Sequence, residues 1–143
     1  MLLLDVNILV YAFRGDAPGH APMREWLMRA LSSDEPVGLC DPVVSGFIRV
    51  TTHPAIFSPP TPVEEAFRFL HAVRARPNHV HVTPGERHLE IFQRLCVEAP
   101  AKGNLVPDAW NAALAMESGC TLVTTDADYS RFKGLRWRHP LRA

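Results

Sequence analysis

The sequence has no excess of either charge: Lys+Arg and Asp+Glu both number 15, so the formal net charge is zero. That excludes a chain-wide basic field of the kind that gathers nucleic acid non-specifically, and leaves room only for a local patch. Cysteine is scarce and unpaired in pattern. The three residues Cys40, Cys96 and Cys120 are odd in number and show no CxxC spacing. This argues against a disulfide framework or a thiolate zinc site and for buried thiols in a reducing compartment. Long apolar runs are also missing, and none approaches the ~20 residues of a membrane-spanning helix. The apolar opening "MLLLDVNILVYAF" is broken by Asp5 and Asn7 and has neither a basic leader nor a small-residue cleavage site, so it makes a poor signal peptide. The expected location is the cytoplasm, with no membrane contact. No internal repeat and no linker-like composition shift interrupts the chain.

What is present is a run of alternating strand and helix signals over 143 residues, of which 47% are hydrophobic. The length suits one domain spanning residues 1–143, long enough to bury a core without covalent staples. Leu2–Leu4, "PVGLC", "HVHVT", "CTLVTT" and a stretch near "LRWRH" read as strands. Helices are expected over residues 8–13, through "APMREWLMRALSS", from Asp41-Pro42 to just before Pro54, through "PVEEAFRFLHAVRAR", through "PGERHLEIFQRLCVEA", and from Pro107 to a stop at Gly119. In the first long helix Met23, Trp26, Leu27 and Leu31 share a core-facing side. Asp41 fits the cap of its helix, with Pro42 in the first turn. Alternation of this kind implies a mostly parallel sheet covered on both faces, a three-layer α/β/α sandwich.

The chemistry lies in isolated carboxylates at the ends of apolar segments. Asp5 follows the first strand and precedes a helix, and Asp126 repeats that placement after "CTLVTT". Residues just past the carboxyl ends of parallel strands line one crevice. Asp108, in the first turn of the helix leading into the last of those strands, starts at the same rim. Each aspartate alone also reads as a helix cap, and Asp128 and Asn7 as turn residues. The joint placement of Asp5, Asp108 and Asp126 favours a hard divalent cation, which relieves their mutual repulsion. The matching chemistry is metal-assisted phosphodiester hydrolysis. The seven histidines show no convergent spacing and read as surface or satisfied core groups, with Arg49 and His53 the best placed to approach a substrate. The tail "RFKGLRWRHPLRA" reads equally as a local basic patch or a solvated terminus.

Three segments, "LLLDVNILVYA", "PDAWNAALA" and "GCTLVTTDADYSRF", joined by "FIRVTTHP", resemble the PIN-domain family and within it the VapC toxins of type II toxin–antitoxin modules. The resemblance spans essentially the whole chain. It implies an endoribonuclease dependent on Mg²⁺ or Mn²⁺, acting on RNA, neutralised by a small VapB-like antitoxin, and usually a homodimer. It further implies that Asp5, Asp108 and Asp126 are the catalytic metal ligands, with Asn7, Thr125 and Asp128 in support. One departure stands out: where many members carry a glutamate in the helix after the second strand, this chain has Gly46. That leaves open a second reading, a degenerate PIN domain that binds RNA or protein without cutting. A haloacid-dehalogenase-like phosphatase would need a second aspartate where Asn7 stands, and is disfavoured.

Overall fold

The computed structural model describes residues 1–142. Five short parallel strands form one sheet: β1 (Leu2–Leu4), β2 (Val37–Leu39), β3 (His79–His81), β4 (Thr121–Val123) and β5 (Trp137–Arg138), in the order β3-β2-β1-β4-β5. All four pairings are parallel, and Leu4 stands opposite Val123 in the central β1/β4 pair. The sheet is thus fully parallel, and its inner strands are buried on both faces, which is why they read as unbroken Leu and Val runs.

Among the described residues six α-helices connect the strands: α1 (Val6–Phe13), α2 (His20–Leu31), α3 (Asp41–Thr51), α4 (Val63–Arg74), α5 (His88–Glu98) and α6 (Leu105–Ser118). From β1 through β2 to β3 the chain steps one way across the sheet; it then returns past β1 to β4. Right-handed crossovers therefore put α1–α4 on one face and α5–α6 on the other. The helix contacts divide in the same way, linking α1 with α2 and α3, α3 with α4, and α5 with α6. The core is one cluster in which Leu3, Leu4, Ile8, Leu9, Phe47, Leu114 and Tyr129 are fully enclosed.

Several expectations need adjustment. Helix α1 begins at Val6, two residues before the anticipated Ile8, and α6 begins at Leu105 rather than Pro107. Pro107 still fits the first turn, where its missing N–H has no helical partner to lose. Asp41 is the first residue of α3, not its cap; Cys40 holds that position and Asp41 Oδ1 bonds His81 Nε2 at 2.8 Å. His20 opens α2 one residue ahead of the expected "APMREWLMRALSS", with Nδ1 against the Tyr11 carbonyl at 2.9 Å. Gly119 ends α6 as expected, in the left-handed conformation at φ 69°. The basic tail is not a free terminus. Leu135 and Trp137 pack on the core, and Arg136 donates to the Gly119 carbonyl at 2.9 Å, covering the end of α6. The cysteines are all free thiols, Cys40 and Cys120 buried and Cys96 half-buried.

Candidate active site at the carboxyl rim of the sheet

The strand order reverses direction at β1, and the first residues past β1 and β4 meet there. The Asp5 N–H donates to the Val123 carbonyl at 3.0 Å, so the two strand ends stay in register as the chain leaves the sheet. Asp5 is 8% exposed. Its Oδ1 accepts the Val6 N–H at 2.8 Å and its Oδ2 accepts the Thr124 hydroxyl at 2.7 Å. Asn7 Nδ2 reaches both Asp5 Oδ2 and Thr124 Oγ1 at 3.3 Å. The cap reading of Asp5 is therefore realised by one oxygen, while the other is tied into a polar knot at the rim.

Thr124 sits at the centre of that knot. Its Oγ1 accepts the Asp126 N–H at 3.0 Å, a local turn bond from residue i to i+2. Asp126 repeats the motif, its Oδ1 accepting the Asp128 N–H at 2.9 Å and capping the short 3-10 turn Ala127–Arg131. Thr125 contributes its backbone, its N–H donating to Asn7 Oδ1 at 3.3 Å. Asp128 is exposed beside Arg131, at 3.8 Å.

Asp108 completes the group from the first turn of α6. Partial burial, and then the charges of Asp5 and Asp126, push its carboxyl up to about 6. Burial also raises Asp5, opposed by its bond from Thr124 and reinforced by Asp126. The three carboxylates are thus near enough to repel one another. Behind them Asn111 Nδ2 donates to the Tyr129 hydroxyl at 3.3 Å, and burial together with the Asp5 charge holds that phenol protonated. The Cys40 thiol, 3.8 Å from Asn111 Oδ1, is pushed up to about 11 by burial and is inert. Among the described residues no group of three or more His, Cys, Asp or Glu side chains is arranged as a ready-made metal cage.

Asp5 and Asp108 lie in a cleft of about 510 Å³, with Gly46 and Arg49 on the α3 side and Phe92, Trp110 and Asn111 on the α5–α6 side. A second, mostly apolar hollow of about 290 Å³ shares Asp5 and Val6 and continues past Asn7 to Ile56 and Phe57. Arg49 is exposed and forms no ion pair among the described residues. His53 is outside both hollows and turns back on its own chain, Nδ1 accepting the Ala55 N–H at 3.0 Å. Gly46 does face the cleft, and a Cβ there would stand 2.9 Å from Val6 Cγ2. The glycine packs against Val6 of α1, so the position lacks both an acid and the room for one without a shift of Val6. Sequence reasoning missed Thr124, Asn111 and Tyr129. Two adjacent threonines after a strand point to opposite sides, which makes Thr124 and Thr125 alternatives; helical spacing from Asp108 to Asn111 was the available sign for the latter.

The PIN domain model matches residues 2–135. The chain belongs to the PIN-domain family. Its relatives place it within the VapC branch: it is 44% identical over 140 residues to ribonuclease VapC25 of Mycobacterium tuberculosis, covering 98% of this chain and 99% of that protein. It is 45% identical over 141 residues to VapC ribonuclease Mb2897 of Mycobacterium bovis, covering 99% and 96%. Among solved structures the fold is similar to VapBC-1 from nontypeable Haemophilus influenzae, with a TM-score of 0.71 at 16% identity over 99% of this chain and 98% of that one. It is likewise similar to VapBC2 from Rickettsia felis bound to a promoter DNA fragment, with a TM-score of 0.68 at 18% identity over 96% and 97%.

Proposed function

We propose that this member of the PIN family is the toxin of a type II toxin–antitoxin module, an endoribonuclease that hydrolyses RNA phosphodiester bonds with Mg²⁺ or Mn²⁺ and is neutralised by a VapB-like antitoxin. The observation that carries the reading is the grouping of Asp5, Asp108 and Asp126 around the β1/β4 strand ends, where burial and neighbouring carboxylate charge raise the proton affinity of Asp5 and Asp108. Near-full-length relatives named as VapC ribonucleases support the activity.

The donor set fits a hard divalent cation. Every group is a carboxylate oxygen, partly desolvated and surrounded by like charge, an arrangement a cation relieves. Mg²⁺ usually takes one or two protein carboxylates and fills its octahedron with water and substrate phosphate, so a closed protein cage is not required. Asp5 and Asp108 would hold the ion, with Asp126 beside them. When bound, the ion lowers the pKa of a water and neutralises charge on the phosphate.

The chain's own residues orient the rest. Val6, Thr124 and Asn7 fix the Asp5 carboxylate in one rotamer, so binding a cation costs no side-chain ordering there. Arg49, exposed on the opposite wall, is placed to pair with a backbone phosphate. The direct test is to incubate the purified protein with total RNA, with Mg²⁺ or Mn²⁺ and with EDTA, and map new 5′ ends. Ends at a few sites that vanish with EDTA support the reading; RNA left intact in the presence of metal overturns it.

A further inference from the structure

The wall of the cleft facing Arg49 is aromatic. Phe92 from α5 and Trp110 from α6 both line it, each half-buried with part of the ring surface open to the cleft. Neither ring is left to find its own position. His88 is packed between them, 5% exposed, with its ring centroid 4.6 Å from that of Trp110 and 5.9 Å from that of Phe92, nearly parallel to the latter at 28°. His88 Nε2 is bonded to the Trp110 carbonyl at 3.0 Å, which fixes the wedge to α6. Helix α5 is anchored in turn by Glu117, whose carboxylate accepts the Gly85 N–H at 2.7 Å and the Arg87 N–H at 2.9 Å just ahead of the helix. A Cβ at Gly85 would stand 2.7 Å from Glu117 Oε2, so a side chain there would push the carboxylate aside.

We infer that Phe92 and Trp110 form a base-binding wall, on which an unpaired base next to the scissile phosphate stacks while Arg49 meets the backbone across the cleft. The inference rests on the ribonuclease reading above and adds the residues that require an unpaired base beside the cut. The charge pattern matches one occupant. A nucleotide presents an anionic phosphate and an apolar face, and this cleft presents Arg49 to the first and two rigid rings to the second, while the carboxylate rim would meet the phosphate only through a bound cation. Its volume of about 510 Å³ lies within the usual range for a small-ligand site. A base held in a duplex has both faces covered by its neighbours, so the wall admits bases of single strands and loops. Stacking accepts any base, so the wall confers a requirement for an unpaired base at one position rather than a fixed letter.

The test uses the intact chain and a short single-stranded RNA carrying a cleavage site mapped as above. Each base around that site is replaced in turn by an abasic residue, and binding is followed by fluorescence anisotropy with Ca²⁺ in place of Mg²⁺, so that no turnover is needed. One abasic position is expected to weaken wild-type binding by about tenfold. The same position is expected to cost Trp110→Leu and Phe92→Leu less than about twofold, because the wall is already lost and the coupling between base and ring disappears. Phe92→Leu keeps most of the apolar volume, so it decides the matter should Trp110→Leu fail to fold by circular dichroism. An abasic penalty equal in wild type and variants, or no penalty at any position, overturns the wall while leaving the nuclease reading intact. Wild-type protein that neither binds nor cuts RNA overturns both.

Discussion

At the scale of single residues the site is a balance between caps and charges. Asp5→Asn tests that balance. An asparagine keeps Oδ1 for the Val6 N–H, so α1 retains its cap, while Thr124 and Asn7 lose a charged acceptor and gain a donor in its place. A change of within about 1 kcal/mol in metal-free stability is expected, since the buried bond from Thr124 and the longer one from Asn7 are exchanged for relief of the buried charge and of carboxylate repulsion. Cleavage and growth arrest should be lost. The check is arrest at matched protein levels alongside a melting curve, and undiminished arrest by the variant would sink the ligand role. Asp108 gives a pH signature. Its folded carboxyl is raised from 3.8 to about 6, so the folded state holds the proton more tightly than the unfolded one. The stabilisation from that proton is fully present below 3.8 and is lost as pH rises through about 6. His79 and His139 are lowered by burial and act in the opposite direction. The informative quantity is therefore the difference between wild type and Asp108→Asn. In EDTA, wild type should lose melting temperature relative to the variant between pH 4 and pH 7, and saturating Mg²⁺ should restore most of it; parallel curves would mean that Asp108 carries no such strain.

At the scale of elements, much was legible because parallel strands buried on both faces cannot hide. "LLL", "VGL" and "TLV" appear in the sequence as short apolar runs between helical periods, and the sheet edge they end on could be located from them. Helix starts were less legible. Helix α1 starts at Val6 because Asp5 caps it, two residues ahead of the start the apolar spacing suggests, while α6 starts at Leu105 after Asn104, which makes no side-chain cap bond. Asp41 had the right residue type for a cap but was drawn to His81, a partner 40 positions away that no local pattern reveals. The same limit applies to Gly46, whose meaning is the α1–α3 approach and not only a missing acid. A new Cβ meets Val6 Cγ2 at 2.9 Å, and Val6 is a stiff β-branched residue in a helix. Gly46→Ala gains up to about 1 kcal/mol of helix propensity but incurs an overpacking cost of about 1–3 kcal/mol. Net destabilisation is expected, and Val6→Ala should reverse it in a double-mutant cycle read by urea denaturation. Additive effects would show that the helices do not meet there. Only in the Val6→Ala background is Gly46→Glu a fair probe of whether an acid at this position strengthens the response of melting temperature to Mn²⁺.

For the molecule as a whole, the question is what the exposed apolar surface is for. The face opposite α5–α6 carries a groove of about 350 Å³ between α2 and α4, lined by Leu27, Met28, Phe69 and Val73 and flanked by Arg24 and Arg76. Met28 is 46% exposed on its rim, and Phe67 on α4 is 43% exposed. The helical spacing of "REWLMRAL" predicted a core face, and Leu27 and Leu31 do fill the core, but Met28 falls one step around the helix and remains outside. An apolar floor with basic edges suits an amphipathic segment bearing acids on its flanks, and a VapB-like antitoxin is the partner the proposed function supplies. The chain alone should therefore associate non-specifically through this face and run as broad, polydisperse material on size exclusion. Co-expressed with a cognate VapB-like antitoxin, it should elute as a defined complex with a higher melting temperature, because a ligand that binds only the folded state stabilises it by mass action. Met28→Glu separates these two consequences of one surface. The side chain is at the rim, so the fold should be preserved, while a charge placed against an apolar contact and beside acidic flanks should weaken the complex about tenfold or more, in the range of interface hot spots. The same variant should make the free chain better behaved, since the apolar patch is broken. Titration calorimetry against the antitoxin, with size exclusion of the free chain, reads both. If Met28→Glu binds as tightly as wild type, the antitoxin covers a different face and the groove between α2 and α4 is not where the toxin is restrained.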